Sequence, residues 1–235
     1  MRLPFQHWIM AEVAAPKRLQ TETATELDDL GISVLKSACS SEAKDLAVDW
    51  AELGLDALLK EGVLKDAPML GTVVKICAMS KTIRDQLFVR KVWEFLRACP
   101  EFNELEKLGF VREHLDDLKK AQKLGDAIVL ILDKLDDLEK AEMLAKMFTA
   151  FVRKHIDYAD FRRLAAGIDR AFTGDLKTLV AKPPPSELNS EKFVAMLEPA
   201  GFVLTRGGES RAHAIGTRTD VSPLGNLFQK CMWEE

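Results

Sequence analysis

The sequence predicts a mainly α-helical protein, a multi-helix body followed by a small C-terminal winged-helix-like β-hairpin unit. Three observations predict it. Apolar residues recur at helical spacing through most of the chain. The run Pro183-Pro184-Pro185 forms the one clear linker, stiff and extended. Only between Ser190 and Met232 does the helical pattern yield to short extended runs around a paired glycine. The expected organisation is therefore a loosely structured N-terminal extension (1–29), a helical body (30–182), the proline linker (183–185) and the winged-helix-like module (186–235).

Residues 11–29 are rich in Ala, Thr, Lys and Glu and show little apolar periodicity. From Ser41 the pattern sharpens: Leu46, Trp50, Leu53 and Ala57 recur at helical spacing behind a serine cap, and Gly62 is a stop. Asp66-Ala67-Pro68 restarts the chain at an angle, because proline keeps its predecessor out of helical geometry. Pro68 to Ala98 reads as one long helix ended by Cys99-Pro100, or as two with a break near Ser80. Further helices are expected over Glu101–Lys123 and Asp126–Leu135, separated by Gly125. Asp136 with Glu139 forms a capping box that opens a helix to about His155. Asp157 with Asp160 opens another to Phe172, ended by Thr173-Gly174, and Asp175–Lys182 adds two turns.

In the C-terminal unit, Ser190 to Gly201 reads as a short helix stopped by glycine. Phe202–Arg206 reads as a strand, Gly207-Gly208 as its turn and Ala212–Thr217 as the returning strand. Ser222-Pro223 opens a last helix, with serine at the cap and proline at the first helical position.

Composition narrows the function. A formal net charge of −4 gives no global field toward nucleic acid or anionic lipid. A single tyrosine, Tyr158, argues against base stacking along a single strand. The uncharged runs, such as Leu3–Ala11 and Val221–Gln229, fall far short of the ~20 apolar residues a spanning helix requires. Cys39, Cys77, Cys99 and Cys231 are scattered in apolar surroundings without metal-ligand spacing, so buried reduced thiols in a cytoplasmic protein are expected. No phosphate-cradling glycine loop, nucleophile elbow or paired histidine motif occurs, so neither enzyme activity nor a cofactor or metal is expected. The acidic groups Asp116-Asp117 and Asp133, Asp136, Asp137 are interleaved with Lys119, Lys120, Lys134 and Lys140, which favours side-chain pairing over a metal site.

The strongest candidate for a working surface is the basic stretch Lys75, Lys81, Arg84, Arg90, Lys91 and Arg97. Its polar side suits an anionic partner, while the bland alternative is a core helix whose cations pair with the acidic segments around 113–142. The hairpin adds Arg206, Arg211 and Arg218. In a DNA-binding winged helix these would touch phosphate. The helix before the hairpin is as acidic as basic, however, which favours a protein-binding or dimerising role.

Leu64-Lys-Asp-Ala-Pro68-Met-Leu-Gly71, continuing through Ile83-Arg-Asp85-Gln-Leu-Phe88, resembles a motif in a family of mainly helical bacterial proteins without an established activity. The Leu135-Asp-Asp-Leu-Glu-Lys140 region and Leu224-Gly225-Asn-Leu-Phe228 are similar to the same family, so the likeness spans roughly residues 55–230. The resemblance implies a bacterial cytoplasmic helical protein, in a setting of mobile-element or phage-defence functions, and carries no catalytic residues. The function expected is that of a non-enzymatic interaction or regulatory protein, acting on a protein partner or by self-association. A nucleic-acid-binding regulator is the first alternative. The second is a peripheral membrane-active effector that uses Pro68–Leu96.

Overall fold

The computed structural model describes residues 30–40, 82–207 and 217–233. Helix α1 covers residues 30–39. Then follow α2 (Ile83–Ala98), α3 (Glu104–Phe110) running into a π-helical turn (Val111–Leu115), α4 (Leu118–Lys134), α5 (Leu138–Val152), α6 (Tyr158–Arg170) and α7 (Thr173–Val180). The C-terminal part contains α8 (Pro185–Leu188), α9 (Glu191–Leu197), the antiparallel strands β1 (Val203–Gly207) and β2 (Thr217–Val221), and α10 (Pro223–Trp233). The mainly helical class with one small two-stranded sheet is as expected. The helix expected over 46–57, the Pro68 restart and the first half of the Pro68–Ala98 segment lie outside the described residues.

Helix α5 is the centre of the body. Met143, Leu144, Ala145, Met147, Phe148, Ala150, Phe151 and Val152 are all buried, because α2 and α6 cover it from different sides. Phe148 meets Phe95 of α2 and Phe110 of α3 at ring-centroid distances of 5.5 and 5.6 Å. Phe151 stacks on Phe161 of α6. Truncating any of these fully buried rings costs about 3–5 kcal/mol, since neighbours relax only partly into the space.

Several helix starts follow the chemistry of their first residues. Thr82 and Asp85 form a reciprocal capping box before α2, so the Pro68–Ala98 segment does have a helix start close to Ser80. Asn103 and Glu106 do the same for α3. Asp157 accepts from the Asp160 N–H at the head of α6, as the sequence indicates.

Three boundaries differ from expectation. Gly125 does not separate two helices: α4 runs straight through it, and the break falls at Asp116-Asp117, where Asp117 caps α4 through the Lys119 and Lys120 N–H groups. Gly125 instead permits close packing, since a Cβ there would stand 2.4 Å from the Gly31 carbonyl carbon. The cap of α5 is Asp137, which accepts from the Glu139 N–H, while Asp136 pairs with Lys140 at 2.6 Å. Thr173 opens α7 rather than ending α6, whose final cap is Ala171 in extended conformation. Strand β2 is Thr217–Val221, with Thr219 and Val221 opposite Thr205 and Val203; residues 212–216 of the expected returning strand lie outside the described residues. Val203 and Thr219 are buried and Arg218 is exposed, the alternation of a half-buried strand.

Helix C-termini leave carbonyls without intrahelical partners. Long side chains from neighbouring helices fill four of these ends. Lys91 donates to the Asp133 and Leu135 carbonyls at 2.7 and 2.9 Å, Lys140 to Asp169 at 3.1 Å, and Lys146 to Met232 at 3.1 Å. Gln229 donates to the Leu179 carbonyl at 2.6 Å. A cation near a helix C-terminus also meets the negative end of the helix dipole. Two of these contacts join α10 to the body, and α10 packs on α5, α6 and α7. The proline run is correspondingly short as a spacer: Pro185 already begins α8, and Lys182 lies over the Trp233 ring of α10. Gly201, with φ +86°, turns the chain from α9 into β1, and Ser222 ties the two together by donating to its carbonyl.

Candidate interaction surface

Of the basic stretch, Lys75 and Lys81 lie outside the described residues. The remaining cations sit on α2, whose opposite face buries Val89, Val92, Phe95 and Leu96. Arg84 pairs with Asp133 of α4 at 2.9 Å. Arg97 reaches Glu94 at 2.6 Å and Glu142 of α5 at 2.8 Å. Lys91 is buried, and its ammonium is directed into the end of α4. Burial holds the Lys91 ammonium below the ordinary lysine range, with Asp133 drawing it partly back. Arg90 is exposed. Residues of α4 and α5 thus engage Arg84, Lys91 and Arg97, but only Lys91 is buried, and Arg84 keeps 80% of its side chain exposed within its ion pair.

On the hairpin, Arg211 lies outside the described residues. Arg206 and Arg218 stand opposite each other across β1 and β2, a placement that is unfavourable for like charges. Asp220 relieves it, lying 2.9 Å from Arg218 and 3.7 Å from Arg206. Both outer edges are blocked at the middle of the hairpin. The Thr205 N–H donates to the Glu198 carboxylate at 3.0 Å, and the Thr219 N–H to the Asn189 side-chain oxygen at 2.7 Å. Occupied edge groups resist addition of a further strand. The preceding helix, α9, is only two turns long and exposes Glu191 and Lys192. A phosphate backbone approaching there meets as much negative as positive charge.

Several acidic groups are engaged with cations, mostly across helices rather than along one: Asp133 with Arg84, Glu139 with Lys177, Glu113 with Lys154, and Asp136, just ahead of α5, with Lys140 in its first turn, while Asp117 and Asp137 cap helices. Among the described residues, no group of three or more His, Cys, Asp or Glu side chains is arranged to hold a metal ion. Cys39, Cys99 and Cys231 are buried, and burial pushes the Cys39 thiol up to about 12. Cys77 lies outside the described residues. No helix among the described residues is long and apolar enough to cross a membrane.

The feature that charge reading misses lies on α3 and its π turn. Leu105 is 83% exposed, Leu108 64% and Val111 37%, while Phe110 on the opposite side is 1% exposed. At about 3.6 residues per turn, 105, 108 and 111 share one side of the helix. The sequence shows Leu105, Leu108 and Val111 at three-residue spacing, a row that by itself reads as core. The segment is held firmly from within. His114 lies between the Phe110 and Phe151 rings, at centroid distances of 5.1 and 4.9 Å. Arg153 binds Glu106 at 3.1 Å, and Lys154 binds Glu113 at 2.7 Å, which lowers the Glu113 carboxyl. Burial lowers the His114 imidazole from 6.5, with Lys154 and Lys120 acting in the same direction and Glu113 against it.

The chain matches no protein-family model, no curated protein and no solved structure.

Proposed function

We propose that this chain is a non-enzymatic interaction or regulatory protein that docks a protein partner through the outer face of α3 and its π turn. The observation that carries this reading is the row Leu105, Leu108 and Val111, exposed on a helix whose inner side is fixed by Phe110, Glu106 and His114. Apolar residues shown together on a rigid support mark contact surfaces in soluble proteins. The bacterial, cytoplasmic and mobile-element or phage-defence setting rests on the resemblance in Leu64–Phe88 and Leu224–Phe228.

The nucleic-acid reading retains one supporting observation, the exposed Arg206 and Arg218 on the hairpin. The membrane-effector reading meets a packing cost, because Val89, Val92, Phe95 and Leu96 are already buried in the core, where Phe95 would have to leave Phe148 uncovered.

The test compares the wild type with Leu105→Ser/Leu108→Ser in affinity capture from a bacterial extract, alongside titration with duplex DNA and flotation with anionic vesicles. The expected result is a specific bound protein lost in the variant, with DNA and vesicles unbound. DNA binding with a steep salt slope that Arg206→Gln/Arg218→Gln removes would replace this reading with the nucleic-acid one.

A further inference from the structure

The partner of the α3 face can be narrowed by the order of residues along it. Glu104, Leu108 and Arg112 are spaced by four, so they lie in one line along the helix, and Leu105 and Val111 flank Leu108 on its two sides. The line reads acid, apolar, base. Its two ends are equidistant from Leu108, and so are Leu105 and Val111. A two-fold symmetric interface requires a surface patch complementary to itself. Laid antiparallel on a second copy with the i, i+4 rows aligned and centred on Leu108, this face sets Glu104 against Arg112 and Leu108 against Leu108, with Leu105 and Val111 packing on either side.

The surroundings suit that pairing. Arg112 is exposed, and Glu104 is 80% exposed with only a Lys107 pair three residues away, a contact easily exchanged. Beside Leu108, a Cβ built on Gly109 meets nothing within 4 Å, so a second backbone can come close at the crossing point. The other charged groups nearby, Glu106 and Glu113, are committed to Arg153 and Lys154 behind the face.

We infer that the partner is a second copy of this chain, joined antiparallel through Glu104, Leu105, Leu108, Val111 and Arg112. This rests on the proposed protein-docking role of the face and names its occupant. A stable interface buries about 1,600 Å² in total, more than one short helix face supplies, so the dimer forms in a concentration-dependent manner.

The test is sedimentation of the full chain over a range of concentrations, with thermal melts to confirm that each variant folds. The wild type is expected to rise from the 26.3 kDa monomer toward twice that mass. Leu108→Glu is expected to remain monomeric. Glu104→Arg and Arg112→Glu, which set like charges against each other twice per dimer, each weaken association about tenfold or more. The double variant Glu104→Arg/Arg112→Glu recovers association, because the swapped charges meet again across the two-fold axis. A wild type that stays monomeric throughout, or a dimer indifferent to the swaps, overturns the inference. If that monomer still loses a captured protein in Leu105→Ser/Leu108→Ser, the docking role stands and only the second copy is wrong. If it loses nothing, both fail.

Discussion

Helices α2 and α3 are neighbours in the chain and opposites in how they use their residues. Helix α2 carries the densest positive charge of the described structure and pairs much of it with neighbours: Lys91 is buried at the end of α4, while Arg84 meets Asp133 and Arg97 meets Glu94 and Glu142 in ion pairs at the surface. Helix α3 carries leucines and leaves two of them in solvent. The difference teaches that a cation count does not make a binding surface and an apolar residue is not always core. What decides each case is the neighbouring element. Asp133 of α4 and Glu142 of α5 lie beside α2, whereas no described element covers the outer side of α3.

The sharpest way to break this comparison is to mutate the two sides of α3 separately. Phe110→Ala, on the inner side among Phe148 and Phe151, is expected to cost about 3–5 kcal/mol in chemical denaturation. Leu108→Ala, on the outer side, is expected to stay within about 0.5 kcal/mol. Equal losses would mean that the outer face is packed. Next in size is Lys91→Met, which leaves the Asp133 and Leu135 carbonyls without their donor and is expected to cost about 1–3 kcal/mol. No loss there would return Lys91 to the list of available cations. Arg84→Gln breaks an exposed pair, and a melt should show a loss of about 1 kcal/mol or less. The smallest effect concerns pH. The folded His114 imidazole titrates below its unfolded value of 6.5, so its contribution is full above that value and declines as pH falls through it. Stability followed from neutral to mildly acidic pH should fall less in His114→Phe than in the wild type, and an identical fall in both would remove His114 as a cause.

Much of the helical class was legible, because caps and periodicity are local. Thr82, Asp157, Ser190 and Ser222 act as helix caps where polar residues precede apolar ones. The misplaced boundaries share a non-local cause. Gly125 looks like a stop until Gly31 is seen packed against it. Strand β2 takes its register from Thr219 and Val221 at alternate positions, opposite partners in β1 that the sequence does not identify. The Pro183–Pro185 run reads as a spacer, but its neighbour Lys182 contacts Trp233 and α10 packs on the body. The candidate surface was the least legible. Pairing of Arg84 with Asp133 spans two helices, and exposure of Leu105 depends on what lies beside α3.

The most direct test of the central claim is photocrosslinking in living cells with a photoreactive residue placed at Leu108 in one protein and at Arg84 in another. The account predicts a discrete protein adduct from position 108, at twice the chain's mass if the second copy is the partner, and only the uncrosslinked chain from position 84. A discrete adduct from position 84 with none from position 108 would contradict it.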